Sequence, residues 1–330
     1  RVAVRSAARR LAQLSGTKLG EEVGYSVRGD AKVSRATRVE FVTPGVLLRR
    51  LLRDGDVDAS AVLIDEVHER GLDTDLVLAM VRDLRDIRDD LRIVAMSATV
   101  DAPKFAALLG GSTPAPIVAA EAEIFPLDIR YAPFPQRLDA RGVTDDFLQH
   151  VAAQASTLAE EAAGDVLVFL PGIREVERCA GYIADSSEVA VLTLHGQQSS
   201  EEQDRVFRRQ ADGRRVIVST AIAESSVTVP GVRAVVDACL ARGPRLDIAR
   251  GFSGLVTSSC AQSSANQRAG RAGREGPGIV VRCVSQSEFA SLPAWPAPEI
   301  EVADLTQALL DAAAWGTPGM QGLKLLDNPP

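Results

Sequence analysis

Apolar and polar positions follow two periods in this chain, and the two periods alternate. At residues 2–14, Val4, Ala8 and Leu11 belong to an apolar stripe at helical spacing, which predicts a helix. Short apolar runs bounded by turn residues predict strands, and the continuous run at 61–64 is typical of a strand buried on both faces. The predicted strands are 39–42, 61–64, 91–96, 166–170, 189–192, 216–218 and 232–236. The predicted helices are 46–52, about 73–88, a short one that Asp101 caps and Gly110-Gly111 closes, one near 143–162, one from Ile173 and one from a capping box at Ser199 and Glu202.

Strands alternate with helices twice, which predicts two α/β domains that are each built on a parallel sheet. Proline and glycine are frequent at 111–138, so we place a domain boundary within this stretch. The first domain is then 1–128 and the second is 129–297. A helical element at 303–315 predicts the beginning of a third unit at 298–330.

Composition and charge exclude several classes of protein. With a net charge of −7 the chain is not a basic nucleic-acid-coating protein, although a local basic channel is compatible with an acidic exterior. No apolar run approaches the roughly 18 residues that a membrane span needs, and the first residues lack the apolar core of a signal peptide. The four cysteines (Cys179, Cys239, Cys260 and Cys283) are far apart and form no CxxC pair. They are typical of reduced, buried thiols, and a cytoplasmic protein is expected.

The predicted strand at 61–64 runs directly into two acids, Asp65 and Glu66. Open parallel sheets bind ligands at the carboxyl ends of their strands. One carboxylate at that position can hold Mg²⁺ through water, and the next can act as general base on an attacking water. The alternative for an isolated Asp-Glu pair is a solvated acidic turn.

A second candidate stretch, QRAGRAGR at 267–274, has arginine at every third position. Arg268, Arg271 and Arg274 are expected near one helical face, where their planar guanidinium groups suit phosphate. Arginines supplied across a cleft stabilise charge on a transferring phosphoryl group. The alternative for an isolated repeat of this kind is a solvated helix face.

Three motifs in order, DEVH at 65–68, SAT at 97–99 and QRAGRAGR at 267–274, resemble those of superfamily 2 helicases of the DEAH-box type. The resemblance covers nearly the whole chain, and residues 170–175 and 312–316 are similar to the bacterial HrpB-type branch. It implies two tandem RecA-like domains, the first incomplete at its N-terminus, followed by the start of a winged-helix domain. It also implies an ATP-dependent, or more broadly NTP-dependent, RNA helicase that requires Mg²⁺.

The same resemblance implies roles at a nucleotide site. Asp65 and Glu66 are the metal positions, and Glu66 also activates the attacking water. His68 couples to Gln267 across the cleft, although a satisfied core histidine is the alternative. The other implied positions are the arginine fingers Arg271 and Arg274, the base sandwich of Arg10 and Phe207 (for Phe207 the alternative is a core residue), Ser97 and Thr99 as the link between nucleotide state and domain movement, and Gly270 as a further nucleotide-binding position.

Single-stranded nucleic acid is the implied partner, with RNA favoured over DNA, and a monomer is expected. The positions that fall in backbone-contacting motifs of the family are Arg1, Arg28, Thr43, Gly45, Gly172 and Thr220. Such contacts fix register without reading bases. Residues 244–258 predict a hairpin with Gly251 and Gly254 at its turn, which resembles the strand-separating hairpin of the family.

The sequence departs from the family pattern in three places. No Gly-x-x-x-x-Gly-Lys-Ser/Thr P-loop occurs in the 330 residues, so we interpret the sequence as a fragment and expect residues 1–330 alone to lack NTPase activity. The alternative is a non-catalytic nucleic-acid-binding adaptor related to helicases. Ala221 replaces a usual asparagine and removes one polar contact, and Pro230 replaces a common acidic residue that could contact the ribose.

Overall fold

The computed structural model describes residues 2–98, 102–120, 125–208, 213–224, 228–247 and 252–330. Arg1, Thr99 and Gly251, which the sequence singles out, therefore lie outside the described residues. Within these ranges, no helix has both the length and the apolar composition that crossing a membrane requires.

The first part of the chain is an α/β unit. Its elements are α1 (Val2–Leu14), β1 (Val23–Val27), β2 (Asp30–Lys32), β3 (Val39–Val42), α2 (Pro44–Asp54), β4 (Ala61–Ile64), α3 (Leu72–Arg85), β5 (Arg92–Ala95) and α4 (Ala102–Gly110). β1 pairs in parallel with β3 and antiparallel with β2, and β4 pairs in parallel with β5. Sequence patterns did not predict β1 or β2, because Gly24 and Ser26 interrupt the apolar run of β1 and β2 has Ala31 as its one apolar residue.

The prediction that β4 is buried on both faces is wrong. Val62 and Ile64 pack into the core with α3, whereas Leu63 is 60% exposed and Val94 of the neighbouring strand is 43% exposed. Helices therefore cover one face of the β4–β5 pair in the described part of the chain. An apolar run does not specify how many faces of a strand are covered, since this depends on elements that are distant in sequence.

The second part is built on a six-stranded, wholly parallel sheet in the order β10-β11-β9-β12-β15-β6. Its elements are β6 (Leu127–Tyr131), β7 (Leu138–Asp139), β8 (Gly142–Val143), α5 (Asp145–Glu161), β9 (Asp165–Phe169), α6 (Ile173–Ser186), β10 (Ala190–Leu194), α7 (Ser200–Phe207), β11 (Arg215–Ser219), β12 (Val232–Asp237), β13 (Leu240–Asp247), β14 (Phe252–Ser259), α8 (Gln262–Gly270), β15 (Gly278–Arg282) and α9 (Gln286–Ser291). Helices α5 and α6 contribute to a hydrophobic cluster on one face, and α7 and α8 contribute to the cluster on the other.

Two features of this part differ from the sequence pattern. β6 lies inside the proline- and glycine-rich stretch and spans the predicted boundary at 128/129. It pairs with β15 of the six-stranded sheet. The hairpin of β13 and β14 is present and begins earlier than predicted. Gly254 pairs with Arg245 within the strands, so its placement at the turn is wrong.

The last elements, α10 (Glu299–Val302) and α11 (Thr306–Trp315), pack on the first part of the chain. Ile300, Ala308 and Ala312 share one hydrophobic cluster with residues of α2 and α3. The indole Nε1 of Trp315 donates to Oδ2 of Asp83 at 3.2 Å. The predicted unit at 298–330 thus contributes to the core of a unit that lies far away in sequence.

Candidate nucleotide and nucleic-acid site

A tight turn places the acid pair at the carboxyl end of β4. The backbone N–H of Met96, after β5, donates to the carbonyl of Ile64 at 2.8 Å, and the N–H of Val67 donates to the carbonyl of Met96 at 3.1 Å. The turn begins at Glu66, which has a φ of 54° in the left-handed region, a strained conformation for a residue with a Cβ. This backbone directs Asp65 and Glu66 to the sheet edge where parallel folds bind ligands, beside exposed Ser97 after β5.

The two carboxylates have different environments. Asp65 is exposed, and its Oδ1 accepts the backbone N–H of Glu66 at 2.9 Å. Glu66 is partly buried, and burial raises the pKa of its carboxyl, with further upward contributions from the charges of Asp65 and Glu69. His68, whose Nδ1 lies 3.5 Å from Oε2 of Glu66, acts in the opposite direction on this pKa, as does Arg271. A carboxyl with a raised pKa is a stronger proton acceptor once ionised.

Arg271 and Arg274 both interact electrostatically with the carboxylate of Glu66. Burial lowers the pKa of Arg271 to about 10, with a further lowering by Arg274, whereas Glu66 raises it. Burial also lowers the pKa of Arg274, and Glu66 again opposes the shift. The Nε of Arg271 donates to the carbonyl of Glu224 at 2.7 Å, and Arg274 donates to the hydroxyl of Thr228. Two cations from the second part of the chain therefore lie near the acid from the first.

Arg268, the first arginine of the repeat, is placed differently. Helix α8 ends at Gly270, so Arg271 and Arg274 lie beyond its last turn and the three side chains do not share one helical face as predicted. Arg268 is buried, and its guanidinium donates to Oε2 of Glu224 at 2.8 Å and to Oδ1 of Asp237 at 2.9 Å. It is an anchor of the core. Sequence reasoning missed Glu224, which connects this anchor to Arg271 and lies in the stretch after β11.

His68 and Gln267 are not hydrogen-bonded to each other. Both ring nitrogens of His68 are buried without a hydrogen-bond partner, and Gln267 is half-buried on α8. The Nδ1 of His68 lies 3.5 Å from Oε2 of Glu66, which is too long for a hydrogen bond of good geometry. The coupling between His68 and Gln267 stays a prediction.

The two residues of the predicted base sandwich lie on neighbouring helices. Arg9 of α1 donates to the carboxylate of Asp204 of α7, with Nη1 3.1 Å from Oδ1. Arg10 is exposed beside Arg9, and Phe207, one turn after Asp204, is half-buried against the core. No stacking between Arg10 and Phe207 occurs among the described contacts, so the structure brings the helices together and leaves the sandwich as a prediction.

Three of the predicted nucleic-acid positions share one surface pocket in the first part of the chain. Arg28, Thr43 and Gly45 line this open pocket of about 280 Å³ together with Arg49 and Asp73. A Cβ on Gly45 would lie 2.7 Å from Oδ2 of Asp73, so a side chain at this position would displace that carboxylate. Thr43 is the N-cap of α2. Pro44 has no N–H, and the N–H groups of Val46 and Leu47 both donate to the carbonyl of Thr43, so Gly45 is the residue of this turn whose N–H could face an anion.

Gly172 and Thr220 form a second pair, beyond the carboxyl ends of two neighbouring strands in the six-stranded sheet. They follow β9 and β11, which are neighbours, and the N–H of Leu170 donates to the carbonyl of Ser219 at 2.9 Å between the strand ends. Gly172 is the N-cap of α6, and a Cβ there would lie 3.0 Å from the guanidinium of Arg242 and would also contact Glu175. The predicted backbone-binding positions thus fall into two groups, one on each sheet-bearing part.

The residues present suit Mg²⁺ at the strand end. Magnesium binds through one or two carboxylates and otherwise through water and substrate phosphate oxygens. Asp65 offers an exposed carboxylate with one oxygen engaged by a backbone N–H, which orients the other oxygen. Glu66, next to it, is partly buried and interacts electrostatically with Arg271 and Arg274.

Comparison with known proteins places these features in a family. The family model described as Helicase conserved C-terminal domain matches residues 149–276. The ATP-dependent RNA helicase HrpB of Escherichia coli (strain K12) is 37% identical over 337 residues, covering 100% of this chain and 40% of that protein. The ATP-dependent RNA helicase HrpA of the same organism is 33% identical over 332 residues, covering 100% of this chain and 25% of that protein. The crystal structure of the Escherichia coli DEAH/RHA helicase HrpB matches with a TM-score of 0.90 at 36% identity, covering 100% of this chain and 42% of that one.

The six-stranded parallel sheet and the motifs at its edge define a RecA-like helicase fold of superfamily 2. Within that superfamily the chain is similar to the DEAH-box helicases, and the similarity to HrpB extends over the whole length of this chain. The predictions of family and fold class are therefore confirmed. The chain spans less than half the length of the relatives it matches, 40% for HrpB and 25% for HrpA. The roles of the individual site residues stay predictions.

Proposed function

We propose that these residues belong to an ATP-dependent RNA helicase in which NTP hydrolysis drives movement along single-stranded nucleic acid. The observation that carries the proposal is the arrangement of Glu66 near Arg271 and Arg274, which come from the other sheet-bearing part of the chain. A nucleotide bound between them would contact both parts at once, so its binding would depend on the distance between the two parts. The names of HrpB and HrpA, both ATP-dependent RNA helicases, support the same reaction.

In this mechanism Glu66 accepts a proton from the attacking water. Its raised pKa makes the carboxylate a better base than an exposed glutamate. Arg271 and Arg274 stabilise negative charge that develops on the transferred phosphoryl group. Mg²⁺, held by Asp65 with Glu66 beside it, would neutralise phosphate charge. The base of the nucleotide lies between Arg10 and Phe207, whose stacking surfaces accept any base.

Movement along nucleic acid follows from the two groups of backbone-binding positions. Arg28, Thr43 and Gly45 hold the strand on the first part, and Gly172 and Thr220 hold it on the second. Closure on nucleotide and opening after hydrolysis change the distance between these groups, so each cycle shifts the grip. Contacts to the backbone make the movement independent of base sequence.

We also propose a division into two RecA-like domains and the start of a winged-helix domain. The pairing of β6 with β15 supports a second domain that includes β6 and so begins slightly before residue 129. The packing of α10 and α11 on α2 and α3 supports a third unit held against the first.

The test uses the longest natural reading frame that contains residues 1–330. Glu66→Gln is expected to lower RNA-stimulated NTP turnover by about 10² or more, as loss of a general base does, while nucleotide affinity changes little. Glu160→Gln, an exposed glutamate on α5, is the matched control and should retain turnover. Wild-type turnover in Glu66→Gln would refute the base assignment. Absence of both nucleotide and RNA binding in the parent protein would contradict the function itself.

A further inference from the structure

A cluster of side chains with metal-ligating atoms lies away from the nucleotide site, at the base of the β13–β14 hairpin. A carboxylate oxygen of Asp237 and the Sγ atoms of Cys239 and Cys260 all lie within 4.8 Å of one another. The three residues are 1%, 0% and 1% exposed. The two cysteines are 21 positions apart in sequence, and neither belongs to a CxxC pair.

The hairpin itself brings the two thiols together. Cys239 directly precedes β13 and Cys260 directly follows β14, and the N–H of Cys260 donates to the carbonyl of Cys239 at 3.0 Å. Cys239 has a φ of 52°, an uncommon conformation for a residue with a Cβ. Such conformations persist only where the surrounding structure determines them. The thiols thus lie in a rigid, fully packed part of the fold.

The two carboxylate oxygens of Asp237 differ, because one accepts hydrogen bonds and the other has none. Its Oδ1 accepts the N–H of Cys239 at 2.8 Å and the guanidinium of Arg268 at 2.9 Å. Its Oδ2 is buried and has no hydrogen-bond partner. Buried carboxylate oxygens without a donor are rare and require an explanation. A cation beside the two thiols would satisfy this oxygen.

The arrangement of Asp237 resembles that of a metal-bound carboxylate with its supporting partners. Ligands of metal sites are commonly oriented by outer hydrogen bonds, and here Arg268 and the Cys239 N–H hold the carboxylate through Oδ1. Arg268 also balances the charge of Asp237. Two thiolates then balance a divalent cation, so binding adds no net charge to this buried site.

We propose that Asp237, Cys239 and Cys260 form a binding site for a borderline-soft divalent cation of the Zn²⁺ class. Thiolate ligands select such ions over Mg²⁺ or Ca²⁺. Tetrahedral zinc places two sulfur ligands about 3.8 Å apart, and the three donor atoms here already lie within 4.8 Å of one another. With three protein ligands the fourth position belongs to water or another small ligand. The ion joins both ends of the hairpin stem and stabilises it.

The competing interpretation is a pair of neutral thiols that serve only as core residues. A hydrogen bond with Cys260, burial and the charge of Asp237 raise the pKa of Cys239, so this thiol is protonated without a metal. This interpretation accounts for the burial of the thiols and leaves Oδ2 of Asp237 without a partner. The two interpretations differ in whether added zinc binds with defined stoichiometry through sulfur.

The experiment measures Zn²⁺ and Co²⁺ binding to chelator-treated protein. We expect one equivalent of zinc, a thiolate-to-cobalt charge-transfer band with Co²⁺, and a higher melting temperature with either ion. Cys260→Ser and Asp237→Asn should each weaken zinc binding by more than about tenfold. Cys179→Ser is the matched control, because Cys179 is also buried but lies on α6 outside the cluster.

Two results would overturn the proposal. One is wild-type protein without a charge-transfer band at saturating Co²⁺, and this measurement does not depend on whether any variant folds. The other is equal zinc affinity in wild type, Cys260→Ser and Cys179→Ser, which would assign the bound ion to surface groups. The rate of proteolysis within the hairpin gives an independent readout, because zinc should slow cleavage only in protein whose hairpin stem binds the ion.

Discussion

The ion pair between Arg215 and Asp165 gives the sharpest stability prediction. It joins the first residues of β11 and β9, with Nη2 2.6 Å from Oδ2, and the side chains are 2% and 10% exposed. Oδ1 of Asp165 also accepts the backbone N–H of Arg215 at 2.9 Å. Arg215→Met leaves a buried carboxylate without its cation, and removal of one partner of such a pair costs about 3–5 kcal/mol.

An exposed pair of similar geometry serves as the control. Arg130 donates two hydrogen bonds to Glu161, each 2.7 Å long, but the two side chains are 42% and 41% exposed. Water screens the charges and solvates either partner alone, so Arg130→Met should cost only about 0.2–1 kcal/mol. Both pairs lie in the second part of the chain, so the unfolding of the same unit reports on both.

The assay is urea unfolding followed by circular dichroism. Asp165→Asn and the double variant with Arg215→Met complete the cycle, and the double variant should recover part of the loss because no buried charge remains unpaired. Equal losses for Arg215→Met and Arg130→Met would refute the reasoning, since Arg215 is buried and also donates to the backbone carbonyls of Val206 and Arg208, whereas Arg130 is exposed.

Further predictions concern the candidate site and one helix start. Burial raises the pKa of Glu66 above the ordinary value of 4.5, so ionisation costs stability as pH rises through the raised pKa; Glu66→Gln should therefore raise the melting temperature at neutral pH but not below pH 4.5, and a gain that is independent of pH would contradict this. Ser199→Ala removes a complete capping box and should cost about 1 kcal/mol in urea unfolding; no loss would show that α7 does not depend on its cap. The protein encoded by the longest reading frame should hydrolyse ATP and GTP at similar rates if Arg10 and Phe207 hold the base by stacking. A strong preference for ATP would count against this binding mode. Residues 1–330 alone should show no Mg²⁺-dependent hydrolysis above background, because no P-loop occurs in them; hydrolysis that is lost in Glu66→Gln would disprove this.

Local pattern was sufficient for much of the fold. The boundaries of α1, β3 and β4 agree with the prediction, and the capping box at Ser199 and Glu202 forms as expected. These features depend on periodicity and on contacts between residues a few positions apart, which a sequence displays directly. The family motifs belong to the same class, because each is a short run at the end of one strand or helix.

The sequence by itself also identified the family and the residue types of the candidate site. DEVH and QRAGRAGR are specific enough in order and spacing to predict a RecA-like helicase fold, which the similarity to HrpB confirms. It did not distinguish the three arginines of the repeat. Arg268 is a buried anchor and Arg271 lies near Glu66, a difference that depends on where α8 ends and on Glu224 from another strand end.

Only the tertiary structure decided which distant segments meet. It pairs β6 with β15, packs α11 on α3 and brings Cys239 next to Cys260. It also leaves Leu63 exposed on a strand whose composition suggests complete burial. Each of these outcomes depends on contacts between residues that are far apart in the chain. A local pattern of apolar and polar positions shows that a face is buried, but it does not show which distant segment covers that face.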